Sequence, residues 1–425
     1  MTKQYYPGLE ETVCRETLPN GLTVLVVPRP GFRKKLAYFA TDFGSIHRCF
    51  TLEGKPYEAP QGVAHYLEHK LFDMPWGEVS ADFAALGANP NAFTSYDMTA
   101  YYFSCTENFD ACLKLLLQFV STPYFTEESV AKEQGIIGQE IGMTADSPDN
   151  RIFETLMEGM YRNHKVRETI LGTKETIAAI TPQVLETCHR AFYTPENMVL
   201  CVVGDVVPEE VAAMAREILG DEKRPAAIKE VFPEEEMTCP EETVQRAMEV
   251  AMPMFQLGFK CEAPGKGEAA VRQEVIGDLA AEALFGESSA LYLAMYEEGL
   301  IDASFGGGFE TVDGMGLLTC SGDSDAPEKV KEAVLQGLHT LLEKGLEESD
   351  FLRMKRSALG RRIRDLDSFD STCFRLCAYH FTGYDYPQFP ALYQSVQKEE
   401  VEAFLRRVVT RERSCLSVIN PLKEA

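Results

Sequence analysis

The stretch "HYLEH", residues 65–69, places two of the chain's seven histidines and a glutamate within five residues. On a helix, His65 and His69 lie at positions i and i+4, so both imidazoles project from one face at the separation that two ligands of a tetrahedral metal ion require. Glu68 lies one turn after His65, where its carboxylate can reach a water on the metal without binding the ion. The order H-x-x-E-H is the inverted form of the zinc-protease signature. The spacing therefore predicts a Zn²⁺ site with Glu68 as general base; the alternative is the solvated face of an ordinary helix.

A third protein ligand must come from another segment, because catalytic zinc usually takes three protein ligands and leaves a fourth position to water. The helix-like stretch "EQGIIGQEI", residues 133–141, is the best source. It carries Glu133 and Glu140 seven residues apart, which is two turns along the same helix face. Apolar or small residues dominate between them, as in a helix packed beneath a site. The alternative interpretation is a pair of solvated charges.

The same order of patterns occurs twice along the chain. "AHYLEHKLF" is followed by a strand-like "SYDMTAYYFSC" and two helix-like segments, and "GDLAAEALF" is followed by "TVDGMGLLTCSG" and two more. This indicates two copies of one unit of about 200 residues. The second copy lacks every candidate site residue. With the shared "LF" aligned, His65, Glu68 and His69 fall opposite Asp278, Ala281 and Glu282, and in the later helix-like segment Met354 and Arg361 stand opposite Glu133 and Glu140.

Strand candidates open and close each copy: "GLTVLVVP", "MVLCVVGDV", "MFQLGFKC" and "SCLSVIN". Their order predicts an α+β fold of two homologous domains, each a mostly antiparallel or mixed sheet with helices packed on one face. A polar, proline-bearing stretch predicts a linker at residues 223–240. We therefore expect a metal-binding domain at 1–222 and a homologous domain without metal ligands at 241–425.

Composition excludes several classes of function. A chain of 425 residues exceeds the usual size of a single core, so two domains are expected. Its formal charge of −25 argues against nucleic acid or anionic lipid as a partner. The sequence shows neither a signal-peptide pattern at its start nor an apolar run long enough to span a bilayer, and this predicts a cytoplasmic protein with no membrane contact. The twelve cysteines form no CxxC pair, and Cys373 and Cys377 are interpreted as buried thiols.

Five longer stretches carry a family resemblance: "HYLEHKLF", "GANPNAFTSYDMTAYYFSC", "EQGIIGQEI", "FYTPENMVLCVVGDV" and "LFGESSALYLAMYEEGLIDASF". Together they resemble the M16 family of zinc metallopeptidases, which includes pitrilysin, insulin-degrading enzyme and the mitochondrial processing peptidase. The resemblance covers nearly the whole chain. It is greatest to short bacterial members of the YmfH type, which occur with a second family member as neighbour.

The resemblance implies roles for individual residues. It implies that His65, His69 and Glu140 bind zinc, that Glu68 activates water, and that Glu133 supports the site without touching the ion. It also implies that "NAFT" is an edge strand to which a peptide substrate adds as a further strand; its residues are Asn91, Ala92, Phe93 and Thr94.

One stretch departs from the family pattern. Members that bind substrate through their C-terminal half carry R-x-x-x-G-L-x-Y, whereas this chain has "MYEEGLID". Met295 cannot pair with a substrate carbonyl or carboxylate, and Asp302 cannot donate a phenolic hydrogen bond. We therefore expect a zinc endopeptidase subunit that works with a second M16-type subunit carrying the Arg/Tyr pair, or as a homodimer. The alternative functions are a scaffold subunit, or a maturation factor that binds or trims one specific peptide or protein.

Overall fold

A computed structural model describes residues 1–422 of the chain. The strands are β1 (Thr2–Tyr6), β2 (Glu11–Thr17), β3 (Thr23–Pro28), β4 (Lys35–Thr41), β5 (Cys49–Leu52), β6 (Lys55–Glu58), β7 (Asp73–Met74), β8 (Gly77–Glu78), β9 (Asn89–Thr94), β10 (Thr99–Cys105), β11 (Met198–Gly204), β12 (Ile228–Lys229), β13 (Thr243–Met248), β14 (Met254–Cys261), β15 (Gly306–Val312), β16 (Met315–Asp323) and β17 (Ser414–Pro421). The four strand candidates named from the sequence correspond to β3, β11, β14 and β17.

The helices lie between these strands, several of them in consecutive runs. They are α1 (Val63–Leu71), α2 (Val79–Ala85), α3 (Phe109–Ser121), α4 (Glu127–Ala145), α5 (Pro148–Met160), α6 (Lys174–Ile177), α7 (Pro182–Phe192), α8 (Pro208–Leu219), α9 (Glu268–Phe285), α10 (Ala290–Glu297), α11 (Pro327–Lys344), α12 (Glu348–Arg364), α13 (Phe369–Thr382), α14 (Phe389–Ser395) and α15 (Lys398–Val408).

The elements form two compact units, each assembled from separate parts of the chain. Unit 1 comprises Met1–Ile141, Thr169–Val231 and Ile363–Gln388. Unit 2 comprises Gly142–Glu168, Phe232–Arg362 and the residues from Phe389 onward. The boundary between the longest segment of unit 2 and the part of unit 1 that precedes it, between Val231 and Phe232, lies inside the predicted linker 223–240. The predicted ranges 1–222 and 241–425 differ from these units chiefly in two exchanged segments, 142–168 and 363–388.

Unit 1 contains a seven-stranded sheet in the order β1-β2-β3-β11-β4-β10-β9. Only the β3/β11 pair is parallel, and the other neighbours run antiparallel. The central strand β11 reads MVLCVVG and is buried along its whole length, as expected of a strand covered on both faces. Apolar side chains of α1, α3, α7 and α8 pack on one face as the main core, and α13 packs against β4 and β11.

Unit 2 repeats this arrangement with five strands in the order β13-β17-β14-β16-β15. The β13/β17 pair is parallel and the other pairs are antiparallel. This matches β3-β11-β4-β10-β9 of unit 1 strand for strand and direction for direction. The predicted α+β fold, one unit used twice with a mixed sheet in each copy, is therefore confirmed.

The exchanged helices explain why the units are discontinuous in sequence. Helix α5 packs against β13, β14 and β17, in the way that α13 packs against β4 and β11. Gly159 permits the close approach of α5, because a Cβ atom there would lie 2.6 Å from Cγ2 of Val244 and 2.7 Å from Sγ of Cys415. A helix that covers a sheet can thus come from the other sequence repeat, which periodicity within one segment cannot reveal.

Two further features of the chain concern its helices and its cysteines. Within residues 1–422, no helix combines the length and apolar character needed to cross a membrane. None of the twelve cysteines, all of which lie within residues 1–422, forms a disulfide, and Cys373 and Cys377 are both buried in α13.

Candidate metal centre

Helix α1 begins after a glycine whose backbone conformation few other residues can adopt. Gly62 precedes the helix with a φ of 89°, a left-handed value that favours glycine, and a Cβ atom there would collide with the carbonyl of Leu171. From this start Val63, Leu67 and Leu71 are buried in the core of unit 1. Their burial fixes the rotation of α1 and directs the two histidines toward α4.

His65, His69 and Glu140 come together as one group. Nε2 of each histidine lies 3.6 Å from Oε2 of Glu140, and the two imidazole centroids are 4.6 Å apart. The three ligand atoms lie within 4.8 Å of one another, the only such group of potential metal ligands in the described part of the chain. Two imidazole nitrogens and one carboxylate oxygen form a donor set that zinc takes. The residues present therefore fit a zinc ion.

Glu133 lies behind this group and contacts a histidine. Its Oε1 is 3.0 Å from Nδ1 of His69. The Glu133 carboxylate accepts a hydrogen bond from Nδ1–H of His69. Nε2 of His69 therefore keeps its lone pair, on the side of Glu140. The structure thus separates two glutamates that the sequence placed on one helix face: Glu140 joins the histidines, and Glu133 orients one of them.

The pKa values of the two histidines shift in opposite directions. Burial, followed by the nearby His69, lowers the pKa of His65 to about 3, so its imidazole is neutral and able to bind a cation. Burial also lowers the pKa of His69, but the hydrogen bond to Glu133 and the charges of Glu68, Glu133 and Glu140 outweigh it, and the net pKa is raised. Nδ1 of His65 is buried without a hydrogen-bond partner among residues 1–422.

Glu68 lies beside the group and outside it. Burial raises its pKa, while the Thr94 hydrogen bond and His69 partly oppose this shift. Oγ1 of Thr94 donates to Oε2 of Glu68 over 2.6 Å. One carboxylate oxygen is therefore engaged by the protein, and Oε1 remains for a proton transfer. A raised pKa suits a general base that must hold a proton and release it again.

The four residues of the predicted substrate strand lie in β9. Among residues 1–422, this strand ends the sheet of unit 1 and pairs only with β10. Thr94 points to the side of Glu68, whereas Phe93 points to the opposite face, with ring centroids 6.4 Å from Tyr38 and 5.8 Å from Phe374. The free edge carries the unpaired backbone groups that strand addition requires.

Sequence reasoning missed two contacts that hold this site. It assigned Thr94 to the substrate strand alone, and not to Glu68. It also passed over Tyr66, which is fully buried and donates its hydroxyl to the carbonyl of Val130 over 2.5 Å. This bond joins α1 to α4 one turn before Glu133. A tyrosine on the buried side of a helix was the available signal, because a buried phenol needs a partner.

The positions of the missing Arg/Tyr pair have local structural roles in unit 2. Met295 is only 2 % exposed, within α10. Asp302 accepts hydrogen bonds from the backbone N–H and the hydroxyl of Ser304, at 2.8 and 2.6 Å. A buried thioether and a carboxylate engaged in its own turn offer no arginine-like or phenolic donor.

Comparison with known proteins agrees with this geometry. The family model "Insulinase (Peptidase family M16)" matches residues 53–174, and "Peptidase M16 inactive domain" matches residues 179–358. A Bacillus subtilis protein named "Uncharacterized zinc protease YmfH" is 37% identical over 423 residues, 98% of each chain. "Uncharacterized zinc protease YmxG" of the same species is 26% identical, over 85% of this chain and 87% of that protein.

Solved structures share the fold. An M16-like peptidase from Alicyclobacillus acidocaldarius superposes with a TM-score of 0.92 at 32% identity, covering 97% of this chain and 99% of that one. Pitrilysin superposes with a TM-score of 0.80 at 18% identity, covering 99% of this chain and 46% of that one, and at this identity it supports the fold alone. The strand order, the site on α1 and α4 and these matches lead to one conclusion: the chain belongs to the M16 peptidase family.

Proposed function

We propose that this chain is the zinc-binding subunit of an endopeptidase, with His65, His69 and Glu140 holding Zn²⁺ and Glu68 acting as general base. The observation that carries the proposal is the convergence of the three ligand atoms within 4.8 Å, from two helices, with Glu68 beside them. Relatives named as zinc proteases support the choice of metal.

The protein's own groups perform the proton transfers. Zinc, when bound, supplies a water of lowered pKa and polarises the scissile carbonyl. Glu68 takes the proton of the attacking water on Oε1, the oxygen that Thr94 leaves free, and passes it to the leaving amine. Glu133 holds the Nδ1–H of His69, which keeps that imidazole in the tautomer and orientation that ligation requires.

The free edge of β9 provides a binding mode for the peptide. A substrate added antiparallel or parallel to residues 91–94 would form main-chain hydrogen bonds and lie across the end of α1, because Thr94 of this strand contacts Glu68. Strand addition recognises a peptide mainly through hydrogen bonds to its main chain, so the peptide must be extended over several residues. This fits hydrolysis within a chain.

We further propose that a second M16-type subunit completes the enzyme, because Met295 is buried and Asp302 is engaged with Ser304. The same observation favours the alternative function, a maturation or scaffold factor that binds one specific peptide or protein without general proteolysis. A homodimer is the alternative partnership. We also propose a cytoplasmic location, since twelve cysteines that form no disulfide within residues 1–422 suit a reducing compartment.

The test is peptide hydrolysis by the zinc-loaded chain on a library of unstructured peptides, with and without a second M16-type subunit, and with Glu68→Gln as the matched inactive control. We expect cleavage inside the peptides that is lost on chelation and in Glu68→Gln. Binding of a peptide without cleavage under every condition would favour the binding factor.

A further inference from the structure

Three threonines form a row across the sheet of unit 1, beginning at the residue that contacts Glu68. Thr94 of β9 lies opposite Thr99 of β10, and Thr99 lies opposite Thr41 of β4. Residues that face each other on neighbouring antiparallel strands project from the same side of the sheet. Thr99 and Thr41 are fully buried, so the row continues from Glu68 into the core.

The hydroxyls of Thr94 and Thr99 have different acceptors. Thr94 donates to Oε2 of Glu68 over 2.6 Å, and Thr99 donates to the carbonyl of Phe43 over 2.8 Å. Oγ1 of Thr99 lies 3.5 Å from Oγ1 of Thr94, much longer than the usual separation of about 2.7–2.8 Å in an O–H···O hydrogen bond. Thr99 therefore packs against Thr94 while its own proton is engaged elsewhere, and the short bond of Thr94 is the one to Glu68.

The carbonyl that Thr99 binds belongs to the segment 43–46, which also binds the turn 95–98 between β9 and β10. Backbone N–H groups of this segment donate to two carbonyls of the turn, Ser45 to Ser95 over 3.1 Å and Ile46 to Tyr96 over 3.0 Å. The turn begins directly after Thr94. Its position thus depends on the segment that Thr99 holds.

Gly44 allows the segment to approach the turn closely. A Cβ atom there would lie 2.5 Å from the backbone N of Asp97 and 2.5 Å from the carbonyl carbon of Tyr96, too close for any side chain. Backbone packed this tightly against backbone leaves the turn little room to shift. The end of β9 is therefore fixed by packing as well as by hydrogen bonds.

These contacts form a closed set, which we call the Thr99 brace: the turn 95–98, the segment 43–46 and the hydroxyl of Thr99. The turn joins Thr94 to Thr99 along the chain, the segment binds the turn, and Thr99 binds the segment. A side chain supported in this way keeps its rotamer, because its neighbours are themselves held in place. The brace thus acts on Thr94.

We propose that Thr99 is a positioning residue for the general base. Through the brace it fixes Thr94, and Thr94 fixes the carboxylate of Glu68 so that Oε1 stays directed at the attacking water. The inference rests on the proposed function, in which Glu68 is the base. A group that orients a reacting group in advance supports the reaction without contacting the substrate itself.

The experiment is a double-mutant cycle of Thr94→Val and Thr99→Val in the whole zinc-loaded chain, with kcat and KM measured on a cleaved peptide. Thr99→Val should lower kcat about three- to tenfold, the scale of one hydrogen bond, and leave KM and zinc content unchanged. In the Thr94→Val background it should have no further effect on kcat, because it acts through Thr94. Thr99→Ser keeps the hydroxyl and should restore kcat.

Thr41→Val is the matched control. Thr41 is as buried as Thr99, and its hydroxyl donates to the carbonyl of Phe192 over 2.8 Å. The substitution therefore removes the same kind of hydrogen bond one strand farther from Glu68. Both valine variants should lower the melting temperature of the protein, since each loses a buried hydrogen bond. Only Thr99→Val should lower kcat.

Crystal structures of the metal-free wild type and of both variants give a readout that needs no activity. We expect the hydrogen bond between Thr94 and Glu68 to be broken or split between two conformers in Thr99→Val, and intact in Thr41→Val. If the wild type cleaves no peptide, the proposed function fails and these structures alone decide on the brace. The proposal is overturned if Thr99→Val keeps this bond, lowers kcat no more than Thr41→Val does, or has its full effect on kcat in the Thr94→Val background.

Discussion

The hydroxyl of Thr94 donates a 2.6 Å hydrogen bond to Oε2 of Glu68. The bond joins the last residue of the edge strand β9 to Glu68, the proposed general base on α1. A substrate strand that adds to β9 would therefore bind beside the group that orients Glu68, which links peptide binding to the position of the base.

Removing this hydroxyl should lower turnover without removing the metal. We expect Thr94→Val to reduce kcat by about 10 to 100-fold, as is typical when a group that orients a site residue is lost, because the carboxylate of Glu68 can then rotate. Valine keeps the β-branched shape that suits a strand. Steady-state kinetics measures the fall in kcat, and elemental analysis should show an unchanged zinc content. Thr94→Ser should restore turnover.

The control for this substitution is Thr311→Val on β15, the matching edge strand of unit 2. It should leave kcat unchanged. Equal activity of Thr94→Val and wild type would show that Glu68 needs no support from Thr94.

Zinc content should depend on the three residues that converge. We expect about one zinc ion per chain, strongly reduced in His65→Ala, His69→Ala and Glu140→Gln, because each removes a ligand atom. Glu68→Gln should keep the zinc and lose turnover. His339→Ala, an exposed histidine on α11, is the control. Unchanged zinc in a His65 and His69 double variant, measured by elemental analysis, would contradict the assignment.

Glu133→Gln should be milder than Glu140→Gln. Glutamine can still accept the His69 hydrogen bond but lacks the charge, so zinc affinity or activity should fall by about 10 to 100-fold. Competition with a chelator measures the zinc affinity. Glu128→Gln, at an exposed position on the same helix, should have no effect, and a loss in Glu133→Gln as complete as that in Glu140→Gln would place Glu133 on the metal.

A second subunit should raise peptide turnover. A family member that lacks its own H-x-x-E-H but carries the Arg/Tyr pair would supply the donors that Met295 and Asp302 cannot. We expect at least about tenfold faster cleavage by the mixture than by either chain alone, the scale of one added electrostatic contact in the transition state. Full activity of this chain alone, unchanged by the addition, would mean that the departures at Met295 and Asp302 have no such consequence.

Acid should destabilise the chain partly through His189. Burial lowers its pKa in the folded state from the usual 6.5 to about 4. Between these values the unfolded state binds a proton that the folded state does not, so this contribution to stability is lost as pH falls from 6.5 toward 4, by about 1.4 kcal/mol per pH unit at most. The metal-free wild type should therefore lose unfolding free energy more steeply than His189→Gln over this range. Parallel denaturation curves for the two proteins would refute this.

The sequence by itself determined what depends on short-range spacing. The i, i+4 histidines with Glu68 between them, the seven-residue interval of the glutamates and the buried strands MVLCVVG and TVLVVP follow from the geometry of one helix or one strand, so they can be recognised without tertiary contacts. The repeated order of these patterns likewise predicted one fold used twice, and the matching strand orders of the two sheets confirm it.

Only the tertiary structure decided which partners meet. Glu133 and Glu140 share a helix face, and the docking of α4 on α1, held by the Tyr66 hydroxyl, brings Glu140 to both histidines and Glu133 to the back of His69. The Thr94 contact with Glu68 and the exchange of α5 and α13 between the sheets join residues far apart in the chain. Such contacts depend on packing between elements, and local periodicity carries no information about them.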